Sequence, residues 1–312
     1  MNIYIHPVLN EREVNYLTQQ LPAGVSCHFN DGSNVFEGAK DAVIAIGNIP
    51  TDWINDMPCL TTILLDSVGT DNFNGYDWPE NRSITVCNLQ GFFSAPVAEE
   101  IVANVLSIYR QLPALQTAKT SSEWEKDAIR FTKRLVGEAD ILILGYGSIG
   151  QQAAALFEAF GATIQCFDTT DMKANGKNGL IEAVAHCDIL ISTIPATDTT
   201  YNLLDCEVFD KMRAGSMVVN VGRGLVVNED DLVEKALADS TFTACLDVTK
   251  QEPLPTHSSL WTTPNIHLTQ HTGGGCGNEN TKKIDVYVRQ IHRLFNGEPL
   301  QNCVSFERIT MQ

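Results

Sequence analysis

Basic residues are scarce in this chain of 312 residues: 21 lysines and arginines stand against 38 aspartates and glutamates, a formal net charge of −17. Such a surface repels phosphate backbones and anionic headgroups, so no nucleic acid and no membrane partner is expected. Long apolar runs are missing as well. No stretch approaches the ~18 apolar residues of a membrane span. The start, MNIYIHPVLN, has neither a basic n-region nor a long apolar h-region. It reads as a first strand rather than a signal peptide. The nine cysteines are odd in number, and no two are spaced as CxxC. That argues against a zinc ribbon, a redox pair and a secreted disulfide scaffold. The expectation is a cytoplasmic protein whose thiols are small buried apolar groups.

What is present is an alternation of short apolar runs with segments of helical character. The first third offers NIYIH (2–6), VSCHF, DAVIAIG (41–47), LTTILLDS (60–67) and SITVCN (83–88), with EREVNYLTQQL as a helix. SAPVAEEIVANVLSIYRQL (94–112) predicts a long helix, with Pro96 in its first turn. The middle is more regular. ADILILG (139–145), ATIQCFD (162–168), DILISTI (188–194), SMVVNVG (216–222), FTACLDV (242–248) and NIHLTQ (265–270) read as strands. Between them, 148–161, GLIEAVAHC, a short stretch near 205–213 and 228–239 read as helices, and 278–297 as a closing helix. Apolar runs alternating with helices predict parallel sheets covered on both faces. The fold class is therefore α/β, with two doubly wound lobes: residues 1–96 with 278–312, and residues 97–277.

Gly145-Tyr146-Gly147-Ser148-Ile149-Gly150 is a G-x-G-x-x-G between an apolar strand and a helix, the context a dinucleotide site requires. The first glycine serves the tight turn, the second lets backbone approach a pyrophosphate, and the third lets helix and strand pack closely. The next strand ends in Asp168, 18 residues past Gly150, where a carboxylate can accept both adenosine ribose hydroxyls. A ligand-free glycine turn is the plainer alternative, but strand, glycines, helix and acid fall in register for NAD. Some 140 residues precede this cradle, which argues against lactate and malate dehydrogenases of the L-specific type.

Arg223, Glu252 and His271 each follow an apolar strand of the second lobe. In an open α/β sheet such strand ends converge on one crevice. An arginine fork suits a carboxylate or carbonyl, a histidine suits proton transfer near neutral pH, and a carboxylate beside it orients the ring. Each alone also reads as a structural residue: a corner arginine, a loop acid, a histidine before a glycine turn. His257, His267 and His271 fit no standard zinc spacing, so no metal is expected.

The stretches SVGTDNF (67–73), NLQGFFSAPVAEE (88–100), GYGSIG, IPATDTTYNLL (194–204), MRAGSMVVNVGRGLVVNEDDLVEKAL (212–237), CLDVTKQEPLP (245–255) and SSLWTTPNIHLTQHTGG (258–274) resemble the D-isomer-specific 2-hydroxyacid dehydrogenase family. Residues 1–58 match it only in general pattern. The resemblance implies an NAD-dependent oxidoreductase of two Rossmann-like lobes, 1–96 with 278–312 as a discontinuous substrate domain and 97–277 as the nucleotide-binding domain, with its active site between them, usually a homodimer. Arg223 would bind the substrate's carboxylate and carbonyl, His271 would be the acid/base, and Glu252 its partner. The backbone of Val68 and Gly69 would cradle the substrate carboxylate. Asp247 would hold the nicotinamide carboxamide, and Pro195, Val221 and Gly222 would line the cofactor cleft. Gln270 stands where the family commonly has proline. Residues 1–95 carry three cations, Arg12, Lys40 and Arg82, against eleven acids, and Phe92 with Phe93 adds an apolar wall. A small unphosphorylated 2-oxo acid is therefore expected. Competing readings are an NAD-sensing, corepressor-like regulator on the same fold, a D-3-phosphoglycerate dehydrogenase, and a formate-dehydrogenase-like enzyme. The last is weakened by Glu252, since that branch uses an amide there.

Overall fold

In the computed structural model, which describes residues 1–33, 36–73, 75–79 and 81–306, the apolar runs of the first third condense into short strands. They are β1 (Asn2–Ile5), β2 (Ser26–Phe29), β3 (Ile44–Ile46), β4 (Thr62–Leu64) and β5 (Thr85–Cys87), with α1 (Glu11–Gln20) after β1. Asn10 starts α1 with a capping box. Its side chain accepts from the Arg12 and Glu13 N–H groups, while Glu13 accepts from the Asn10 N–H.

The helix expected over 94–112 is α2 (Ser94–Tyr109). Pro113 cannot donate within a continuing helix, so Gln111 turns to φ 59° and a new helix, α3 (Leu112–Thr120), begins. The short α4 (Lys126–Arg130) follows. Next come β6 (Asp140–Leu144), α5 (Ser148–Phe160), β7 (Thr163–Phe167), α6 (Thr169–Val184), β8 (Ile189–Ser192), α7 (Cys206–Phe209), β9 (Met217–Asn220), α8 (Glu229–Ala238), β10 (Thr243–Leu246) and β11 (Ile266–Leu268). The chain closes with α9 (Glu279–Phe295) and β12 (Cys303–Val304), a strand absent from the sequence expectation.

The chain divides into two compact units: Met1–Phe93 together with the described residues from Cys276 onward, and Ser94–Gly275. The first break falls at 93/94 rather than 96/97, at the start of α2, which packs on α5. Residues 307–312 of the expected substrate domain lie outside the described residues.

In the first unit the strand order is β12-β5-β4-β3-β1-β2, parallel except for β12. Ile3, Ile5, Ile44, Ile46 and Leu64 pack under Leu17 of α1 and Ile284, Tyr287 and Ile291 of α9. The buried positions of α9 recur every three or four residues, so one face meets the sheet. In the second unit the order is β11-β10-β9-β8-β6-β7, all parallel. β8, β9 and β10 are buried along their whole length, each large aliphatic side chain contributing about 1.5–3 kcal/mol. From β6 the chain steps outward to β7, then crosses back to β8. That reversal leaves a crevice at the carboxyl ends of β6 and β8, the switch point where α/β sheets bind ligands.

The thiols depart from the expectation of burial. Cys87, Cys187 and Cys245 are buried, whereas Cys59, Cys206 and Cys303 are exposed. Among the described residues, no helix is long and apolar enough to cross a membrane.

Candidate functional site

β6 delivers the chain to Gly145, whose φ of 94° lies in the left-handed region. A Cβ at Gly145 would meet Ile194 Cγ2 at 2.7 Å, and one at Gly150 would meet the Gly145 carbonyl oxygen at 2.2 Å. Both glycines are thus required by the protein's own packing. Gly147 is different: a Cβ there meets nothing within 4 Å. Gly147 is also the N-cap of α5 and offers no side-chain cap, so the first N–H groups of that helix lack an intrahelical partner. Open space before free donors at a helix N-terminus fits a pyrophosphate. Tyr146 and Ser148 are exposed beside it, and Ile149 is half-buried.

Asp168 ends β7, but it is also the N-cap of α6. Its Oδ1 accepts from the N–H groups of Thr170 at 2.6 Å and Asp171 at 3.3 Å. These bonds hold its carboxyl below the usual carboxylate range. The sequence expectation began this helix at 179. The intervening TTDMKANGKN is polar, and Gly176 breaks the helical path at φ 59°, ψ −160°, so periodicity gives no signal there. Beyond β8, the Thr193 hydroxyl donates to the Gly145 carbonyl at 2.9 Å. Pro195 follows, exposed, with its carbonyl accepting from Thr200 Oγ1 at 2.8 Å.

Arg223 is set by its neighbours. Asn220, fully buried at the end of β9, accepts from the Gly222 N–H at 3.2 Å and donates to the Arg223 carbonyl at 3.0 Å. A Cβ at Gly222 would meet the Ile194 carbonyl oxygen at 2.4 Å, and one at Gly224 the Thr249 carbonyl carbon at 1.9 Å. Buried Val221 and the two glycines therefore press the Arg223 backbone between the loops that follow β8 and β10. The guanidinium donates to the Gly222 carbonyl at 2.8 Å. Sequence reasoning missed Asn220, although a polar residue ending an apolar strand was its signal.

His271 Nδ1 lies 2.6 Å from Glu252 Oε2, and Glu252 Oε1 accepts from the Thr249 N–H at 3.0 Å. The His271 side chain is 56% exposed, so the ring stays open to a ligand while one nitrogen is tied to the carboxylate. Its backbone is strained: Gln270 and His271 have φ of 58° and 57°. Such conformations cost about 1–3 kcal/mol each and persist only when their surroundings hold them. Asp247 does the holding. Its carbonyl accepts from the His271 N–H at 2.5 Å. Its buried Oδ1 accepts from Thr269 Oγ1 at 2.7 Å and the N–H groups of Thr272 and Gly273 at 2.9 and 3.2 Å. The sequence reading placed Asp247 on the nicotinamide and did not foresee this loop-building role. Proline, locked near −65°, cannot take the Gln270 conformation, so the departure at 270 goes with the local backbone. His267 lies mid-strand in β11, and burial lowers its pKa. His257 lies in the Pro/Ser/Thr loop before Ser258.

In the first unit, Val68 and Gly69 follow β4. Asn88 Nδ2 donates to the Val68 carbonyl at 2.8 Å, and Ser67 Oγ to the Gly69 carbonyl at 2.8 Å. Phe92 is half-buried against the core and edge-on to Phe93, with ring centroids 4.8 Å apart.

Residues 102–273 match the family model described as D-isomer specific 2-hydroxyacid dehydrogenase, NAD binding domain. Glyoxylate/hydroxypyruvate reductase B of Yersinia enterocolitica is 30% identical over 283 residues, covering 87% of this chain and 86% of its own. Glyoxylate/hydroxypyruvate reductase A of Arabidopsis thaliana is 28% identical over 251 residues, covering 79% of each. The crystal structure of a D-isomer specific 2-hydroxyacid dehydrogenase family protein from Aeromonas salmonicida superposes with a TM-score of 0.85 at 24% identity, covering 98% of this chain and 99% of that one. With its glycine cradle and its histidine–carboxylate pair on one parallel sheet, this chain belongs to the D-isomer-specific 2-hydroxyacid dehydrogenases, oxidoreductases that use a nicotinamide cofactor.

Proposed function

We propose that the protein reduces a small, unphosphorylated 2-oxo acid such as glyoxylate, hydroxypyruvate or pyruvate to the D-2-hydroxy acid, using NADH in preference to NADPH. The observation that carries this reading is the His271–Glu252 pair at 2.6 Å, held open at the carboxyl ends of β10 and β11. Bound nicotinamide supplies the hydride. Arg223 binds the substrate's carboxylate and carbonyl through its planar fork. His271, kept in orientation by Glu252, gives the carbonyl oxygen its proton during reduction and takes it back during oxidation. Residues 145–150 receive the pyrophosphate, with Pro195, Val221 and Gly222 lining the cofactor cleft. Asp168 accepts the ribose hydroxyls through the oxygen its helix cap leaves over. Val68 and Gly69 hold the substrate carboxylate, and Phe92 flanks its short carbon chain.

The charge of the first unit supports a substrate without phosphate. Lys283 of α9 lies over the Phe93 ring, 5.3 Å from its centroid, but is paired with Glu279 at 2.6 Å. The names of the two curated relatives point to the same substrate class. Steady-state kinetics with glyoxylate, hydroxypyruvate, pyruvate and 3-phosphohydroxypyruvate test the proposal. The highest kcat/KM belongs to one of the first three, and preference for the phosphorylated compound would overturn it.

A further inference from the structure

The last described strand pairs two cysteines. β12 runs antiparallel to β5, with Cys303 directly opposite Cys87 and Val304 opposite Val86. The Asn88 N–H donates to the Asn302 carbonyl at 3.0 Å, so the ladder bond flanks the cysteine pair instead of joining it. Such non-hydrogen-bonded sites bring Cα atoms to about 4.5 Å and side chains closest together. That spacing falls inside the disulfide range of about 4.4–6.8 Å. The sulfurs are 3.4 Å apart. Closing to a bond of about 2.0 Å takes ~1.4 Å of sulfur movement, within reach of a side-chain rotation on the exposed partner. Cys303 is exposed and Cys87 buried, so one thiol meets solvent while the other waits behind it. Burial, followed by the hydrogen bond with Cys303, pushes the Cys87 thiol up to about 12. Cys303 is therefore the group that reacts first.

We propose that Cys87 and Cys303 are a redox modification site, which a peroxide converts into an intrachain disulfide stapling the C-terminal strand to β5. The Cys303 thiolate attacks one peroxide oxygen and the O–O bond breaks. The departing hydroxide takes up a proton as water, leaving a sulfenic acid on Cys303. The Cys87 sulfur then attacks the Cys303 sulfur, the S–O bond breaks, and the Cys87 proton leaves with the hydroxyl as a second water. Two thiols and one hydrogen peroxide thus give one disulfide and two waters, the sulfurs losing the two electrons that the peroxide gains. The crosslink closes a loop that holds most of the chain, which restricts the unfolded state and favours the folded one. It also adds a covalent tie to a segment otherwise held by hydrogen bonds and ring contacts, among them Gln290 Nε2 to the Gln301 carbonyl at 2.7 Å, Asn302 Nδ2 to the Gln90 carbonyl at 3.3 Å, and Phe306 stacked on Trp78 at 5.0 Å.

The test exposes the full chain to hydrogen peroxide, alkylates the remaining thiols, and maps the digest by mass spectrometry. The expected result is a linked Cys87–Cys303 peptide pair, two hydrogens lighter than its reduced parts and released by dithiothreitol. The oxidised protein also unfolds at a higher temperature than the reduced protein. Cys303→Ser abolishes both the link and the temperature difference, and Cys206→Ser leaves both in place. The proposal is overturned if Cys87 is still alkylated after oxidation, with Cys303 free, oxidised beyond sulfenic acid or bonded to a second chain. None of these readouts depends on the substrate or on turnover.

Discussion

His271 combines a strained backbone, an accessible ring and a carboxylate at 2.6 Å, the set on which its proposed acid–base role rests. Replacing His271 with alanine is expected to lower kcat by ~10²–10⁴ with thermal stability little changed. Near wild-type turnover would remove it from the mechanism. In Glu252→Gln the ring keeps a hydrogen-bond acceptor at the same place but loses the negative charge. Turnover is expected to fall, by less than in His271→Ala, and wild-type turnover would show that the charge of Glu252 is not used. Asp168 allows a similar separation of charge from geometry. Asparagine can still accept from the Thr170 and Asp171 N–H groups, so Asp168→Asn preserves the helix cap while deleting the charge beside the ribose. It is expected to raise kcat/KM with NADPH relative to NADH at nearly unchanged melting temperature, whereas Asp168→Ala also costs about 1 kcal/mol of cap. Because the backbone donors depress its pKa, Asp168 stays charged well below neutral pH. Any change in the expected preference for NADH between pH 7 and 5 therefore comes from the 2′-phosphate of NADPH, whose second pKa is about 6, and not from Asp168.

Elements built on continuous apolar runs were legible, and those built on polar sequence were not. β8, β9 and β10 are buried throughout and β6 from Ile141 onward, so their ends, and with them the glycine loop and Arg223, could be placed from sequence. The first half of α6 owes its start to the Asp168 cap and carries no apolar stripe. α3 and α4 expose much of their surface, and β12 is two residues long, below what alternation can signal. The support that Asp247 gives the histidine loop was hidden for another reason: it depends on donors more than twenty residues away in sequence. At the glycine loop, structure divides what the motif treats as one. Gly150→Ala drives a Cβ into the Gly145 carbonyl oxygen and is expected to unfold the second unit or lower its melting temperature sharply. Gly147→Ala meets no protein atom, so its stability change stays within about 1 kcal/mol, that of a poorer N-cap. Its NADH affinity is nevertheless expected to fall at least tenfold, since the added methyl occupies the space kept for the pyrophosphate. Calorimetry and cofactor titration on the two variants check this, and a Gly147→Ala protein that binds NADH normally would show that the space serves no ligand.

At the scale of the whole molecule, the question is what covers the apolar side chains between α3 and β6. Leu112, Leu115, Trp124, Phe131 and Leu135 are all exposed, Trp124 at 91% and Phe131 at 77%. Scattered exposed aliphatics are ordinary, but two aromatics this bare within one short stretch of chain are the residues we propose for an association surface. The partner we propose for it is a second copy of this chain, as the family resemblance implies. The expectation is a homodimer, twice the 34.3 kDa of one chain by light scattering at micromolar concentration. Charge sets the sign of its salt dependence. Each chain carries a net −17, so two copies repel. Raising ionic strength towards 0.5 M shortens the screening length below about 5 Å and strengthens apolar burial. Dimerisation should therefore tighten with salt, opposite to an interface built on ion pairs. Trp124→Asp combined with Phe131→Asp removes the anchors and adds like charge to the contact. That variant is expected to run as a folded monomer, its circular dichroism unchanged because neither side chain is buried in the single chain. A wild-type protein that stays monomeric at every salt and protein concentration, or a double variant that still dimerises, would place the association surface elsewhere.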